Sequence, residues 1–302
     1  MYYKYRDISV RTEEIIIKKK VWLAKPDTLN DPFECVIPKF TNEQLQKHEE
    51  EIMGNQLSGF VWQASSDLKN GKMFFNLKGK EIKNLLKRIK NAKDIQRKYK
   101  IANNFFKEIG ATGFSSPKGQ VKSLNSLLDN VGIFSLSENP LSKLMWSHYS
   151  SNHEGLAFGF EANQGSDLDN EEYFQPINYS DKPLNLDLSK GVMNGVTYYQ
   201  DESGQLRSKA YVQIKDQQVQ KILFTKTKEW AYEKEWRYMR QEFGSYDLPG
   251  NLTRIIFGLK CNSENIQRYI KLCKENFEHS IEFLQIFRVE NSIELELRSV
   301  HI

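Results

Sequence analysis

The segment GIFSLS (132–137), followed by GLAFGFE (155–161) and TRIIFGLKC (253–261), decides the fold. Each is an apolar run of strand length bounded by Gly, Asn or Pro, too short for a buried helix and rich in β-branched and aromatic residues. Upstream, Tyr2–Arg6 and Val21–Ala24 read as short strands around a helix from about Thr12 that carries Ile15, Ile16 and Ile17. Downstream, Ser263–Phe277 is an amphipathic helix. The stretch IEFLQIFRVENSIELELRSV (281–300) reads as a hairpin turning at Asn291–Ser292.

Between the two ends the texture is helical. Thr41 and Gln44 have capping-box spacing, opening a helix to about Met53. From Lys80 to Ile109 the apolar spacing follows a helix whose phase slips near Asn91, so a break is expected there. Residues 54–71 and 161–208 are polar and are expected to be irregular. The expected architecture is one α+β domain over residues 1–302, with a mixed or antiparallel β core interrupted by a helical insertion at 41–125.

The 302 residues carry a net charge of +4, but the balance is uneven. Residues 78–108 hold eleven Lys or Arg against three acids. That density fits a surface for a nucleic acid or an acidic protein target, or simply a solvated helix face. No apolar run approaches bilayer length, and MYYKYRDISV has no signal-peptide core, so no membrane partner is expected. Cys35, Cys261 and Cys273 are odd in number and lack metal-ligand spacing, as expected of reduced thiols in a cytoplasmic protein.

Phosphate-loop, dinucleotide-fingerprint, nucleophile-elbow and zinc-protease signatures are absent, and the scattered histidines make a zinc site improbable. What stands out is polar residues beside large aromatics: YKYR (3–6), NDPFE (30–34), FSLS (134–137), MWSHY (145–149) with HEG (153–155), and KEWAYEKEWR (228–237). Ser135 and Ser137 form the chain's one S-x-S, whereas E-x-E occurs three times. In an extended segment Glu233, Glu235 and Arg237 share a face. Two carboxylates so close raise one pKa unless a cation compensates, a role open to Arg237 or Lys228. Each cluster also has a structural reading. Arg6 can pair with Glu34 or Asp31, NDPFE can be a rigid turn with Phe33 docked in the core, and Trp146 and Tyr149 can be packing residues.

In order, KYR, NDPFE, SLSE, MWSHY…HEG and the late W-x-x-E-x-EWR resemble a bacterial family known only as a domain of unknown function. More weakly, Arg6, Ser135-Leu136-Ser137 and Glu233-Lys234-Glu235 resemble the arginine–serine–glutamate mono-ADP-ribosyltransferases. That second resemblance implies a two-sheet core and NAD as substrate. Arg6 would hold a phosphate, Ser135 would orient the catalytic carboxylate, and Ser137 would brace the loop. Glu235 would stabilise the oxocarbenium-like charge, and Glu233 would aim or deprotonate the acceptor. Tyr5, Trp146, His148, Tyr149 and Arg237 complete the expected nucleotide site. An intracellular toxin or phage-defence effector would follow. Two other readings stay open: a metal-dependent nuclease using Asp31, Glu34, Glu233 and Glu235, and a non-catalytic nucleotide- or protein-binding sensor.

Overall fold

The computed structural model describes residues 1–300 except 112, 115, 188–193, 201, 203 and 205. Along the chain run β1 (Tyr2–Arg6), α1 (Val10–Ile17), β2 (Lys20–Leu23), α2 (Asn42–Lys47), α3 (Glu49–Lys69), α4 (Gly79–Asn91), α5 (Ile95–Glu108) and α6 (Pro117–Leu128). Then come β3 (Gly132–Ser137), α7 (Lys143–Tyr149), β4 (Leu156–Glu161), β5 (Phe174–Pro176), β6 (Asn178–Tyr179), β7 (Asn194–Gln200), β8 (Leu206–Val212) and α8 (Gln217–Leu223). The chain ends with β9 (Thr225–Lys226), β10 (Glu235–Arg240), β11 (Gly244–Asp247), β12 (Asn251–Phe257), α9 (Ser263–Asn276), β13 (Glu282–Arg288) and β14 (Leu295–Ser299). The fold is α+β.

The chain divides into two compact units. The first comprises residues 1–35, 128–183 and 222–302; the second comprises 36–127 and 184–221. The expected insertion at 41–125 therefore corresponds to the larger segment of the second unit, which also draws on 184–221.

The first unit is built on a mixed sheet of eight strands in the order β14-β13-β12-β4-β1-β3-β10-β5. Only β12 and β13 run parallel. Alternation along the strands explains the two covered faces. Phe134, Leu136, Phe158, Phe160 and Tyr238 pack under α1 and α9, with Ile16, Tyr269 and Ile270. Tyr3 and Tyr5 point the other way, with Trp146 of α7, Ile256, Leu284 and Ile286. The tie between β1 and β3 is slight: a single register pair, Tyr3↔Ser137. By contrast, β1 and β4 share five pairs, and β3 and β10 share six. The large sheet is thus one sheet rather than the packed pair expected, with a seam between β1 and β3.

In the second unit α3, α4 and α5 close around Phe60, Phe74, Ile82, Leu85, Ala102 and Phe105. The capping box at Thr41 forms as expected and α4 ends at Asn91, where the phase slips. Residues 54–71 are helical to Lys69, not irregular. Gly54 and Gly59 weaken the local propensity, but Leu57, Phe60 and Ala64 at i, i+3 and i+7 supply a buried stripe, and packing prevails. The polar stretch 161–208 carries β5 and β6, an antiparallel β7–β8 pair and a 3-10 turn at Asp167–Asp169; the part of that expectation falling on 188–193, 201, 203 and 205 lies outside the described residues.

Candidate functional site

Beside the β1–β3 seam lies a cleft of about 250 Å³, all of it within the first unit. Both strands line it, through Tyr3, Lys4 and Tyr5 on one side and Ser135, Leu136 and Ser137 on the other. Across it Lys4 Nζ donates to the Ser135 carbonyl at 2.9 Å and lies over the Phe134 ring. Asn30, Glu34, Tyr149, Lys226, Glu233 and Glu235 form the polar wall.

Register dictates the arrangement. Ser137 stands opposite both Tyr3 and Glu235, and Ser135 opposite Arg237, so these side chains emerge on one face of the sheet. Glu233 reaches the same wall by another route. It ends the 3-10 turn Lys228–Glu233, and Lys234 follows in the left-handed region at φ 43°, reversing the chain before β10 begins. The two glutamates do share a wall, but not by strand alternation.

The wall is an ion cluster almost sealed from water. Arg237 is fully buried; its Nε donates to Glu235 Oε1 at 2.7 Å, and its other nitrogens reach Glu34, the Leu223 carbonyl and the Cys35 sulfur. Lys226 Nζ donates to Glu233 Oε2 at 2.7 Å and Glu235 Oε2 at 3.3 Å, and it lies over the Trp230 ring. Tyr149 donates to Glu233 Oε1 at 2.5 Å and accepts from Asn30 at 2.6 Å. Ser135 lines the cleft on the same face, and its hydroxyl helps to hold the Glu235 acid down. Ser137 donates to the Glu233 carbonyl at 2.5 Å and accepts from the Asn139 N–H, bracing both loops. The Glu235 N–H donates to the Tyr179 hydroxyl at 2.8 Å.

Two carboxylates in one cluster therefore differ. Burial works to raise both. At Glu235 the Arg237 guanidinium and Lys226 ammonium outweigh it and hold the acid down to about 2. At Glu233 burial wins over Lys226, and the acid stands above the ordinary carboxylate range. Such a split separates a permanently charged group from one able to exchange a proton.

Several expected site residues do not line the cleft. Arg6 is directly opposite Leu156 on β4, and its Nε is buried without a hydrogen-bond partner. It pairs with neither Glu34 nor Asp31: Glu34 is taken by Arg237, and Asp31 turns back to cap the Phe33 N–H at 2.9 Å. NDPFE is the turn expected, but Phe33 is 84% exposed rather than docked in the core, because Glu34 takes the inward position. Trp146 is fully buried, donates to the Pro140 carbonyl and meets Tyr5 edge-on, a packing role. His148 is exposed beside Tyr149 and Tyr232. HEG is a backbone device. A Cβ on Gly155 would lie 2.1 Å from the Arg6 carbonyl, and Ser151, Asn152 and His153 all have positive φ. Lys228 is exposed and pairs with Asp181; the second cation is Lys226.

Lys4, Lys226, Asn30 and Tyr179 belong to the site without having been singled out. Burial, with Arg6 nearby, lowers Lys4 to about 7. A lysine depressed on folding subtracts stability wherever the folded protein must protonate it: little above its ordinary 10.5, fully below about 7. Lys4→Met is therefore expected to gain about 2 kcal/mol at pH 7, with the gain vanishing near pH 10.5. Denaturant melts of both proteins across that range check this; a pH-independent difference would contradict it.

Among the described residues no group of His, Cys, Asp and Glu is arranged to hold a metal ion, and no helix is long and apolar enough to cross a membrane. Lys226 already occupies the space between Glu34, Glu233 and Glu235 that a divalent ion would need.

No curated protein and no solved structure is similar enough to the chain to match it. KYR, NDPFE and SLSE fall outside the stretch for which a relationship is found. Over residues 145–238, which carry MWSHY, HEG and EKEWR, the chain matches the model of a family described as "Protein of unknown function (DUF2971)".

Proposed function

We propose that the cleft takes the nicotinamide–ribose half of NAD and breaks its glycosidic C–N bond, as a glycohydrolase or an ADP-ribosyltransferase. The observation that carries this reading is the Glu235 carboxylate. It is kept ionised and oriented by Arg237 and Lys226, has Ser135 on the same face, and lines a cleft of about 250 Å³. That volume suits one nucleoside rather than a whole dinucleotide, so the adenylate half would lie outside. A fixed negative charge in a dry site favours a transition state with cationic sugar character. As the bond breaks, its electron pair goes to the ring nitrogen and neutral nicotinamide leaves. Water or an acceptor hydroxyl then bonds to C1′, and its proton passes to Glu233, whose raised pKa suits a base. The expected result is nicotinamide release from NAD by the purified protein; no release and no binding of NAD would remove the reading.

A macromolecular acceptor has a candidate surface on the second unit. Lys80, Lys83, Lys87 and Lys90 recur at i, i+3, i+7 and i+10 on α4, on the side away from the buried Ile82, Leu85 and Ile89. None of the four has an ion-pair partner among the described residues. Binding of duplex nucleic acid through this stripe is expected to fall with salt at a log–log slope of roughly −4, one unit per lysine engaged. A flat salt series in fluorescence anisotropy would return the stripe to a solvated face.

A further inference from the structure

One oxygen of the cleft wall is unaccounted for. Glu34 comes from the NDPFE turn, its side chain is almost wholly buried, and it lines the cleft. Its Oε2 is bound by Arg237, but Oε1 has no hydrogen-bond partner. The second cation of the cluster, Lys226 Nζ, is 3.8 Å from Oε1, beyond hydrogen-bond reach and already committed to Glu233 and Glu235. A buried carboxylate oxygen without a donor costs about 1–3 kcal/mol or more, so such atoms are normally satisfied. Neighbouring donors could close on it only by giving up bonds they already make: the Phe33 N–H donates to Asp31, and Asn30 donates to Tyr149.

We propose that Glu34 is a specificity-determining residue of the cleft, its free Oε1 accepting an N–H or O–H of the ligand. The ligand class follows: a small polar group that carries a hydrogen-bond donor, either neutral or cationic. A carboxylate at the same position is rejected, because it brings no proton to Oε1 and sets a like charge against it. The site thereby discriminates by penalty as well as by attraction, since a ligand without the donor leaves the oxygen buried and bare.

This inference rests on the NAD reading, and it leaves two possible sources of the donor: the nicotinamide carboxamide and a ribose hydroxyl. Binding to the wild-type protein would be measured by calorimetry for four probes: NAD, its 3-acetylpyridine analogue, its nicotinic acid analogue, and NAD with the nicotinamide ribose deoxygenated. If the carboxamide is the donor, the acetylpyridine analogue binds about 10- to 100-fold more weakly and the nicotinic acid analogue more weakly still. If a hydroxyl is the donor, the deoxy analogue bears that loss instead. In Glu34→Gln the affected ratio should collapse toward one. A merely structural Glu34 would weaken all four probes by the same factor and leave the ratios unchanged, which overturns the proposal. Should that variant not fold, the wild-type series decides: equal affinities for the four probes overturn the proposal while leaving the NAD reading intact. Absence of any NAD binding removes both.

Discussion

Arg237→Met is expected to lower the unfolding free energy by roughly 3–5 kcal/mol, the cost of stripping the cation from a buried cluster. The guanidinium is fully buried and holds Glu235 and Glu34 at once. Without it, Lys226 alone faces three carboxylates. The variant should also change the pH profile. In the native protein Glu235 titrates at about 2, below its ordinary 4.5, so it contributes stability that is present above the unfolded value and lost as pH falls toward 2. Losing Arg237 raises that pKa and removes this contribution, so the variant should be weaker at neutral pH yet flatter on the acid side. Urea melts at pH 7 and near pH 3 check both parts. A variant whose deficit is the same at both pH values would show that the ion cluster does not hold Glu235 down. Arg237→Lys should recover little, because one ammonium cannot span Glu235, Glu34 and the Leu223 carbonyl as the guanidinium fork does.

The same cluster shows what a sequence can and cannot reveal. Strand periodicity gives the large sheet, because buried strands leave uninterrupted apolar runs such as GIFSLS and LAFGFE. That Ser135 and Ser137 share a face, and Glu235 and Arg237 another strand's matching face, is also legible, since alternation puts i and i+2 on one side and only the register remained unknown; Glu233 joins them through a 3-10 turn and a left-handed Lys234, which alternation does not foretell. Parity and position together decide against Arg6. Tyr3 is opposite Ser137, so the odd residues of β1 share the serines' face, and Arg6 is an even residue at the strand's far end, opposite Leu156; Lys4, also even, enters the site only by reaching the Ser135 carbonyl at the seam. Glu34 was visible as a turn residue, as a partner for Arg6 and as a metal ligand, but not as the partner of Arg237, which lies 203 positions away, because no local pattern encodes that distance. Lys226 resembles any surface lysine in a Lys-rich segment. Its one local hint is that a buried carboxylate pair demands more positive charge than Arg237 supplies. Trp146 and His148 misled because MWSHY mixes roles within one helix of two turns: Trp146 packs in the core, His148 faces solvent, and only Met145 and Tyr149 reach the cleft.

If the cleft cleaves NAD as proposed, Glu235→Gln is expected to slow nicotinamide release by about 100- to 1,000-fold or more, the effect of removing one preorganised charge from a buried site. The substitution keeps the size of the side chain and an oxygen for the Ser135 hydroxyl, so ligand binding should survive better than turnover does. Stability also falls, since Arg237 then retains only Glu34 as a carboxylate partner. The two effects separate by measuring NAD binding and turnover on folded protein at a temperature well below the variant's own midpoint. Glu233→Gln provides the contrast. Glu233 stands above the ordinary carboxylate range and holds Lys226 and Tyr149 rather than the buried guanidinium. Its loss should slow attack by the acceptor and remove the rise of the rate with pH that deprotonating this base produces. Bond breaking itself should suffer less than in Glu235→Gln. If Glu235→Gln releases nicotinamide as fast as the wild-type protein while folded and bound to NAD, the fixed charge beside the seam has no part in the chemistry, and the cluster's purpose is to hold β9, β10 and the NDPFE turn together.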